Sequence, residues 1–251
     1  VDIAGAAVRL EQARSTRSGL RPFSHEARGL TEDEAWAIAA EVDRLRAAGG
    51  HHRTGYKLGW TSAAMREALG IERPNFGSLW DDMSAGSVLS LSALRHPKAE
   101  PEFAFCADQP LVGAEVGAAD VRRAGRWAVA LEVVDPRWES YDFTWVDNTA
   151  DGSSAAAYVT GQFAPVGCAP EDLTLTMTWG DDRRSGRGRA ALGSPAEAVA
   201  FLVQQLAERG AGLEAGMIVL TGGITSPVDL RPGLRIDVTS PQLGPCSVAC
   251  R

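Results

Sequence analysis

A chain of 251 residues and 26.6 kDa has room for one large or two small domains, with a core that needs neither disulfide nor metal to fold. Its 45% hydrophobic and 23% charged residues, without long blocks of like charge, exclude a disordered, collagen-like or coiled-coil chain. With 25 basic against 32 acidic residues the formal charge is −7, which makes nucleic acid and anionic membrane unsuitable partners.

In chain order, the first strong pattern is helical and covers residues 31–48. Thr31 and Glu34 form a capping box, Ala35, Ile38, Ala39, Val42 and Leu45 share a face, and Gly49-Gly50 ends it. A short β-like segment follows at Gly55-Tyr56-Lys57-Leu58-Gly59-Trp60-Thr61, where glycines allow another backbone or a ligand to approach. A second helix is predicted from Thr61 or Ser62 to Leu69, ending at Gly70. Asp81 and Asp82 read as turn caps. Beyond residue 85 the pattern turns β-rich, with strands predicted over 101–107, 128–135, 156–163, 172–179, 216–220, 234–239 and 246–250. Helices over 120–127 and 195–208 interrupt them, the latter with Ser194 as N-cap, Pro195 at its first position and Glu197 closing a second capping box. Arg183, Arg184, Arg187 and Arg189, broken by Gly186 and Gly188 and preceded by Asp181 and Asp182, read as a solvated loop. Numerous strands without regular helical crossovers predict an α+β chain: one catalytic domain over 1–251, mainly helical over 1–84 and β-rich over 85–251.

No segment approaches the ~20 apolar residues of a membrane span, and the N-terminal residues lack a signal-peptide pattern, so a cytoplasmic protein is expected. Cys106, Cys168, Cys246 and Cys250 stand singly and read as free thiols.

The most informative stretch is Ala99-Glu100-Pro101-Glu102-Phe103-Ala104-Phe105. Strand alternation puts Glu100 and Glu102 on one face and Phe103 and Phe105 on the core face. Glu132 stands alone in the apolar run Ala128-Val129-Ala130-Leu131-Glu132-Val133-Val134. Such carboxylates need a positive partner when buried. Three of them without a matching histidine or thiol suit a hard divalent cation, Mg²⁺ or Mn²⁺, rather than zinc. The other reading is that Glu132 meets an arginine while Glu100 and Glu102 form a solvated strand end. Lys57 on its own reads as a snorkelling surface lysine.

Together these segments resemble the 2-keto-4-pentenoate hydratase and 4-oxalocrotonate decarboxylase family of the fumarylacetoacetate hydrolase superfamily. The likeness runs through Gly55-Tyr56-Lys57-Leu58-Gly59, Phe76-Gly77, Asp82-Met83 and His96-Pro97-Lys98-Ala99-Glu100-Pro101-Glu102. It continues with Ala130-Leu131-Glu132-Val133-Val134-Asp135, Ala150-Asp151 with Ser154, Ser185-Gly186-Arg187-Gly188, Leu220-Thr221-Gly222-Gly223 and Gly244-Pro245-Cys246-Ser247-Val248. The resemblance implies a mixed β-roll of the fumarylacetoacetase C-terminal type with a helical N-terminal segment. It implies Mg²⁺ or Mn²⁺ on Glu100, Glu102 and Glu132, chelated by a small 2-oxo acid, and a homo-oligomer. Lys57 and Asp82 are implied for proton transfer and substrate binding, and Trp60, Asp151, Ser154, Thr221 and Gly222 for the substrate pocket. The implied chemistry is a lyase reaction through a metal-stabilised enolate: water addition gives a hydratase, loss of a carboxylate a decarboxylase. Lys57, partly desolvated between Tyr56 and Trp60, would give or take a proton near neutral pH.

Departures from the family pattern fall in the pocket: Trp60 replaces a smaller leucine, Gly152 an asparagine, and the Gly223-Ile224-Thr225-Ser226 loop differs. These changes beside intact ligand positions predict an altered substrate. Two alternatives remain at this level. An acylpyruvate C–C hydrolase would need a His-Glu pair, for which His25-Glu26 and His51-His52 are available. A non-catalytic, metal-stabilised binding protein would tolerate the altered pocket.

Overall fold

A computed structural model of the chain describes residues 1–164 and 168–251. The chain opens with helices α1 (Ile3–Thr16) and α2 (Glu32–Ala48), then strand β1 (Arg53–Gly59), helix α3 (Ala63–Leu69), and strands β2 (Asn75–Trp80), β3 (Val88–Leu89) and β4 (Lys98–Ala107). Helix α4 (Ala118–Ala124) leads into β5 (Gly125–Val134), helix α5 (Trp145–Ala150) into β6 (Ala155–Thr160), and β7 (Thr174–Trp179) pairs with β8 (Asp182–Arg187). After helix α6 (Pro195–Ala207) come β9 (Ile218–Leu220), β10 (Val228–Asp229), β11 (Arg235–Thr239) and β12 (Cys246–Cys250).

Local chemistry explains the boundaries. At the start of α2 the Thr31 hydroxyl accepts from Glu34 N while the Glu34 carboxylate accepts from Thr31 N, and Glu32, Asp33 and Glu34 lie at the positive end of the helix dipole. Helix α3 starts at the Ser62 cap and ends at Gly70 in the left-handed region. At α6 the Ser194 hydroxyl accepts from Ala196 N with Pro195 at the first position. The capping box expected with Glu197 does not form, because the Ser194 hydroxyl is directed to Ala196 instead of residue 197.

The strands form two sheets. The larger has seven strands in the order β2-β1-β9-β4-β5-β6, with β10 added beside β4; the smaller has five in the order β3-β12-β11-β7-β8. Pairing is antiparallel except between β1 and β9 and between β12 and β3. The sheets pack face to face, β4, β5 and β6 against β7, β11 and β12, around Phe103, Phe105, Leu131, Leu175, Met177, Ile236 and Val248. The architecture is the mixed, curled-sheet α+β fold expected. Helices α1 and α2 make a smaller core of Ala6, Ala7, Leu10, Phe23, Ala35, Ile38 and Val42, joined through Trp138 and Ala150 to the segment around α5.

Three expectations are corrected. Residues 1–84, expected to be mainly helical, also carry β1 and β2, which are integral to the larger sheet. Residues 182–187 form an edge strand exposed on both faces; with no buried face to impose alternation, its arginines look like loop. Helices α1 and α5 were not anticipated. In α1 the buried face is mostly alanine, and α5 is polar yet buried at Asp147, Asn148 and Thr149.

Candidate metal centre and pocket

Strand register assembles the acidic cluster. Glu100 lies directly opposite Glu132 across the β4–β5 ladder, and Glu102 is two residues along on the same face. Ala104, Ala128 and Ala130 occupy that face too, and their short side chains leave room above the sheet. One oxygen from each glutamate falls within 4.8 Å of the others. Glu102 and Glu132 are 0% and 1% exposed, whereas Glu100 is half-buried.

The loop after β9 closes one side of the cluster. Thr221 N and its hydroxyl both donate to Phe103 O, at 3.1 Å each, and Gly222 N donates to Glu102 Oε2 at 2.7 Å. Gly222 has φ +102, and a β-carbon there would lie 1.9 Å from Thr61 Oγ1; one on Gly223 would lie 2.9 Å from Glu100 Oε2. The pair brings backbone against the carboxylates as no larger residues could. Pro101 fits the middle of β4 because its backbone edge faces this loop. Ile224 N donates to Pro101 O there, and no ladder donor is required of the proline.

Lys57 supplies the cation on this face. Tyr56 and Leu58 enter the main core, so Lys57 projects the other way and is 3% exposed. Its Nζ donates to Ser153 O at 2.8 Å and Ser153 Oγ at 3.2 Å, and lies 3.1 Å from Glu132 Oε1, a charge contact without hydrogen-bond alignment. One ammonium against three carboxylates leaves two negative charges uncompensated. Glu102 Oε1 and both Glu132 oxygens are buried without a hydrogen bond. Burial, reinforced by Glu132, pushes Glu100 up to about 7 and Glu102 well above the usual carboxylate range. Orphaned hard oxygen donors with this charge deficit fit a divalent cation of the Mg²⁺ or Mn²⁺ type. Among the described residues no arginine pairs with Glu132; its partner is Lys57.

A cavity of about 180 Å³ opens beside Lys57 and Glu100. Asn148, Ser153 and Ser154 continue its polar side, while Trp60, Met65, Val134, Tyr141 and Phe143 form an apolar wall. A buried amide network shapes the polar side. Asn75 Nδ2 donates to Asn148 Oδ1 at 2.9 Å and Thr149 Oγ1 at 3.0 Å, Ser153 Oγ donates to Asn75 Oδ1 at 3.0 Å, and Asn148 Nδ2 donates to Ser154 Oγ at 2.8 Å. Gly59 is required here, since a β-carbon would lie 2.3 Å from Ser153 Oγ. Gly152, Ser153 and Ser154 have φ of +63, +56 and +58, a left-handed turn that delivers the Ser153 carbonyl to Lys57.

Of the residues expected from sequence, Lys57, Trp60, Glu100 and Ser154 line this cavity, with Glu102, Glu132 and Gly222 clustered at the carboxylates. Three expected roles are not supported. Asp82 follows the far end of β2, where its carboxylate accepts from Arg46 at 2.6 Å, so it does not reach Lys57 in mid-strand. Asp151 is turned to Arg137, with burial raising it to about 6, and lines a different cavity under α2. The Thr221 hydroxyl is buried and engaged by Phe103 O. Sequence reasoning missed Asn75, Asn148, Ser153, Tyr141 and Phe143. Asn75 directly precedes the Phe76-Gly77 pair of the family likeness, but an uncharged polar residue gives no signal of burial. Among the described residues no histidine lines the cavity. His25 is exposed beside Glu26, which pairs with Arg9, and His51 meets Asp81, leaving a water-activating His-Glu pair without support.

Comparison with known proteins places this geometry in context. No family model matches the sequence. The chain is 35% identical over 246 residues to 2-keto-4-pentenoate hydratase 1 of Dechloromonas aromatica, covering 95% of this chain and 93% of the relative. It is 37% identical over 230 residues to 4-oxalocrotonate decarboxylase of Pseudomonas sp. strain CF600, covering 88% and 86%. Among solved structures, the 4-oxalocrotonate decarboxylase of Pseudomonas putida G7, complexed with magnesium and adipate, superposes with a TM-score of 0.94 at 31% identity, covering 99% and 97% of the two chains. Fumarylpyruvate hydrolase from Pseudomonas aeruginosa, in complex with Mn²⁺ and pyruvate, shares the fold with a TM-score of 0.63 at 18% identity over 79% and 89%.

The fold, shared with a magnesium-bound decarboxylase and a Mn²⁺-bound hydrolase, and the carboxylate cluster thus define a class of enzyme scaffold with three carboxylates placed to hold a divalent cation. Within that class, the chain belongs to the 2-keto-4-pentenoate hydratase and 4-oxalocrotonate decarboxylase family.

Proposed function

We propose that the protein is a lyase acting on a small 2-oxo acid, with Glu100, Glu102 and Glu132 holding Mg²⁺ or Mn²⁺ and Lys57 moving the proton. The observation that carries this reading is the buried excess of carboxylate oxygens facing Lys57 at the wall of one cavity. When bound, the cation supplies Lewis acidity to the carboxylate and 2-oxo oxygen of the substrate. Two hydrogen bonds to Ser153 fix Nζ, leaving it beside the cavity where a substrate carbon gains or loses a proton. Ser154 Oγ accepts from Asn148 and can direct its own hydrogen at substrate oxygen. The apolar wall limits water at the tail of the substrate.

The test is incubation of metal-free and Mg²⁺-loaded protein with 2-hydroxypenta-2,4-dienoate and 2-oxo-3-hexenedioate, following diene absorbance and CO₂ release. Metal-dependent turnover of the first marks a hydratase and of the second a decarboxylase; turnover of neither by the loaded protein refutes the reading for these substrates. The same reading makes the protein a cytoplasmic homo-oligomer, supported by its family membership and checked by sedimentation velocity and cell fractionation. Among the described residues no helix is long and apolar enough to cross a membrane.

A further inference from the structure

Much of the cavity wall is apolar, and one of its largest side chains is held in an uncommon conformation. Trp60 has φ +60, a left-handed backbone rarely adopted by a bulky side chain. Two anchors keep it there: Arg66 Nη1 donates to Trp60 O at 2.7 Å, and Trp60 Nε1 donates to Asn148 Oδ1 at 2.8 Å. The indole therefore stands as a fixed part of the wall, with Met65, Tyr141 and Phe143.

From this we infer that Trp60 makes the site selective for 2-oxo acids whose distal end is uncharged, and that a second carboxylate at that end is rejected. The inference rests on the metal-and-2-oxo-acid reading above and specifies its substrate class. A distal carboxylate seated against the indole, Tyr141 and Phe143 would lose water, and could gain an ion partner only by drawing Lys98 away from Asp229 and the Tyr141 ring. The cations that touch residues of the wall each have another partner. Lys98 Nζ lies 4.4 Å from the Tyr141 ring centroid and 3.4 Å from Asp229. Arg66 donates to the Trp60 and Thr61 carbonyls, and Arg184 to those of Ser226 and Pro227. An uncharged, unsaturated tail gains instead from lying against the indole face.

Calorimetric titration of the Mg²⁺-loaded protein tests this with oxalate, which has no tail, and with 2-oxohexanoate and 2-oxohexanedioate, which match in length and differ in the distal carboxylate. Oxalate binding only when Mg²⁺ is present supports the underlying reading; failure of oxalate to bind overturns that reading and the selectivity with it. Given oxalate binding, and in separate titrations without oxalate, 2-oxohexanoate is expected to bind at least about tenfold more tightly than 2-oxohexanedioate. Equal or tighter binding of the dicarboxylate overturns the selectivity alone. Trp60→Ala, with Trp60→Leu as a less disruptive second variant, is expected to bring the two affinities within about threefold; an unchanged ratio in both variants removes Trp60 as its cause.

Discussion

Glu102 shows how a residue that opposes folding can be one that the proposed function requires. Fully buried, with one oxygen held by Gly222 N and the other without a partner, its charge is stabilised by little until a cation arrives. Glu102→Gln should therefore abolish Mg²⁺ binding in calorimetry, yet raise the stability of the metal-free protein by about 1–2 kcal/mol in urea denaturation at pH 8. Glu100 gives the matching pH dependence. A carboxyl raised to about 7 favours the protonated form in the metal-free fold. The stability this contributes is complete below the ordinary carboxylate pKa and is lost as pH rises through 7. Mg²⁺ competes with that proton, so its affinity should fall as pH is lowered through 7, as read by titration between pH 5.5 and 8.5. Lys57→Ala should keep the metal and lower kcat by about 10²–10⁴-fold in a stopped-flow assay; full activity would remove Lys57 from its role.

At the level of elements, α5 and the turn after it are the piece on which the pocket depends. Asn148 touches Trp60, Asn75 and Ser154 together, so Asn148→Ala should cost about 2–4 kcal/mol in denaturant unfolding by leaving several buried groups unpaired. This element also marks where sequence stops being informative. Glu100, Glu102 and Glu132 were legible because charge in an apolar strand is costly and demands an explanation wherever the chain goes. Asn75 and Asn148 sit far apart in the sequence and acquire meaning only when β2 and α5 are packed together. Asp82 and Asp151 misled for a related reason: each looks available for chemistry until its distant arginine, Arg46 or Arg137, is seen. The capped helices and apolar strands were legible from local rules, whereas β8, exposed on both faces, obeys no periodicity that a core would impose.

Across the whole molecule, the two cores differ in what they support. The α1–α2 layer has its own small cluster, rich in alanine, whereas β4 and β5 lie under the large one. Hydrogen exchange should accordingly release the α1 amides before those of β4 and β5. Mg²⁺ should slow exchange in β4, β5 and residues 221–224 and leave α1 unchanged; equal slowing in α1 would mean that the helical layer opens only with the whole fold.

The strand order carries one more implication. Lys57 on β1 and Glu132 on β5 are separated by β9 and β4, three inter-strand steps that on a flat sheet would span about 14 Å of backbone. Their side chains nevertheless meet at 3.1 Å, which only a strongly concave surface permits. Curvature is thus itself part of the site: bending brings the ammonium of Lys57 and the carboxylate of Glu132 together, and a substitution that merely straightened β9 would pull them apart while leaving both side chains untouched.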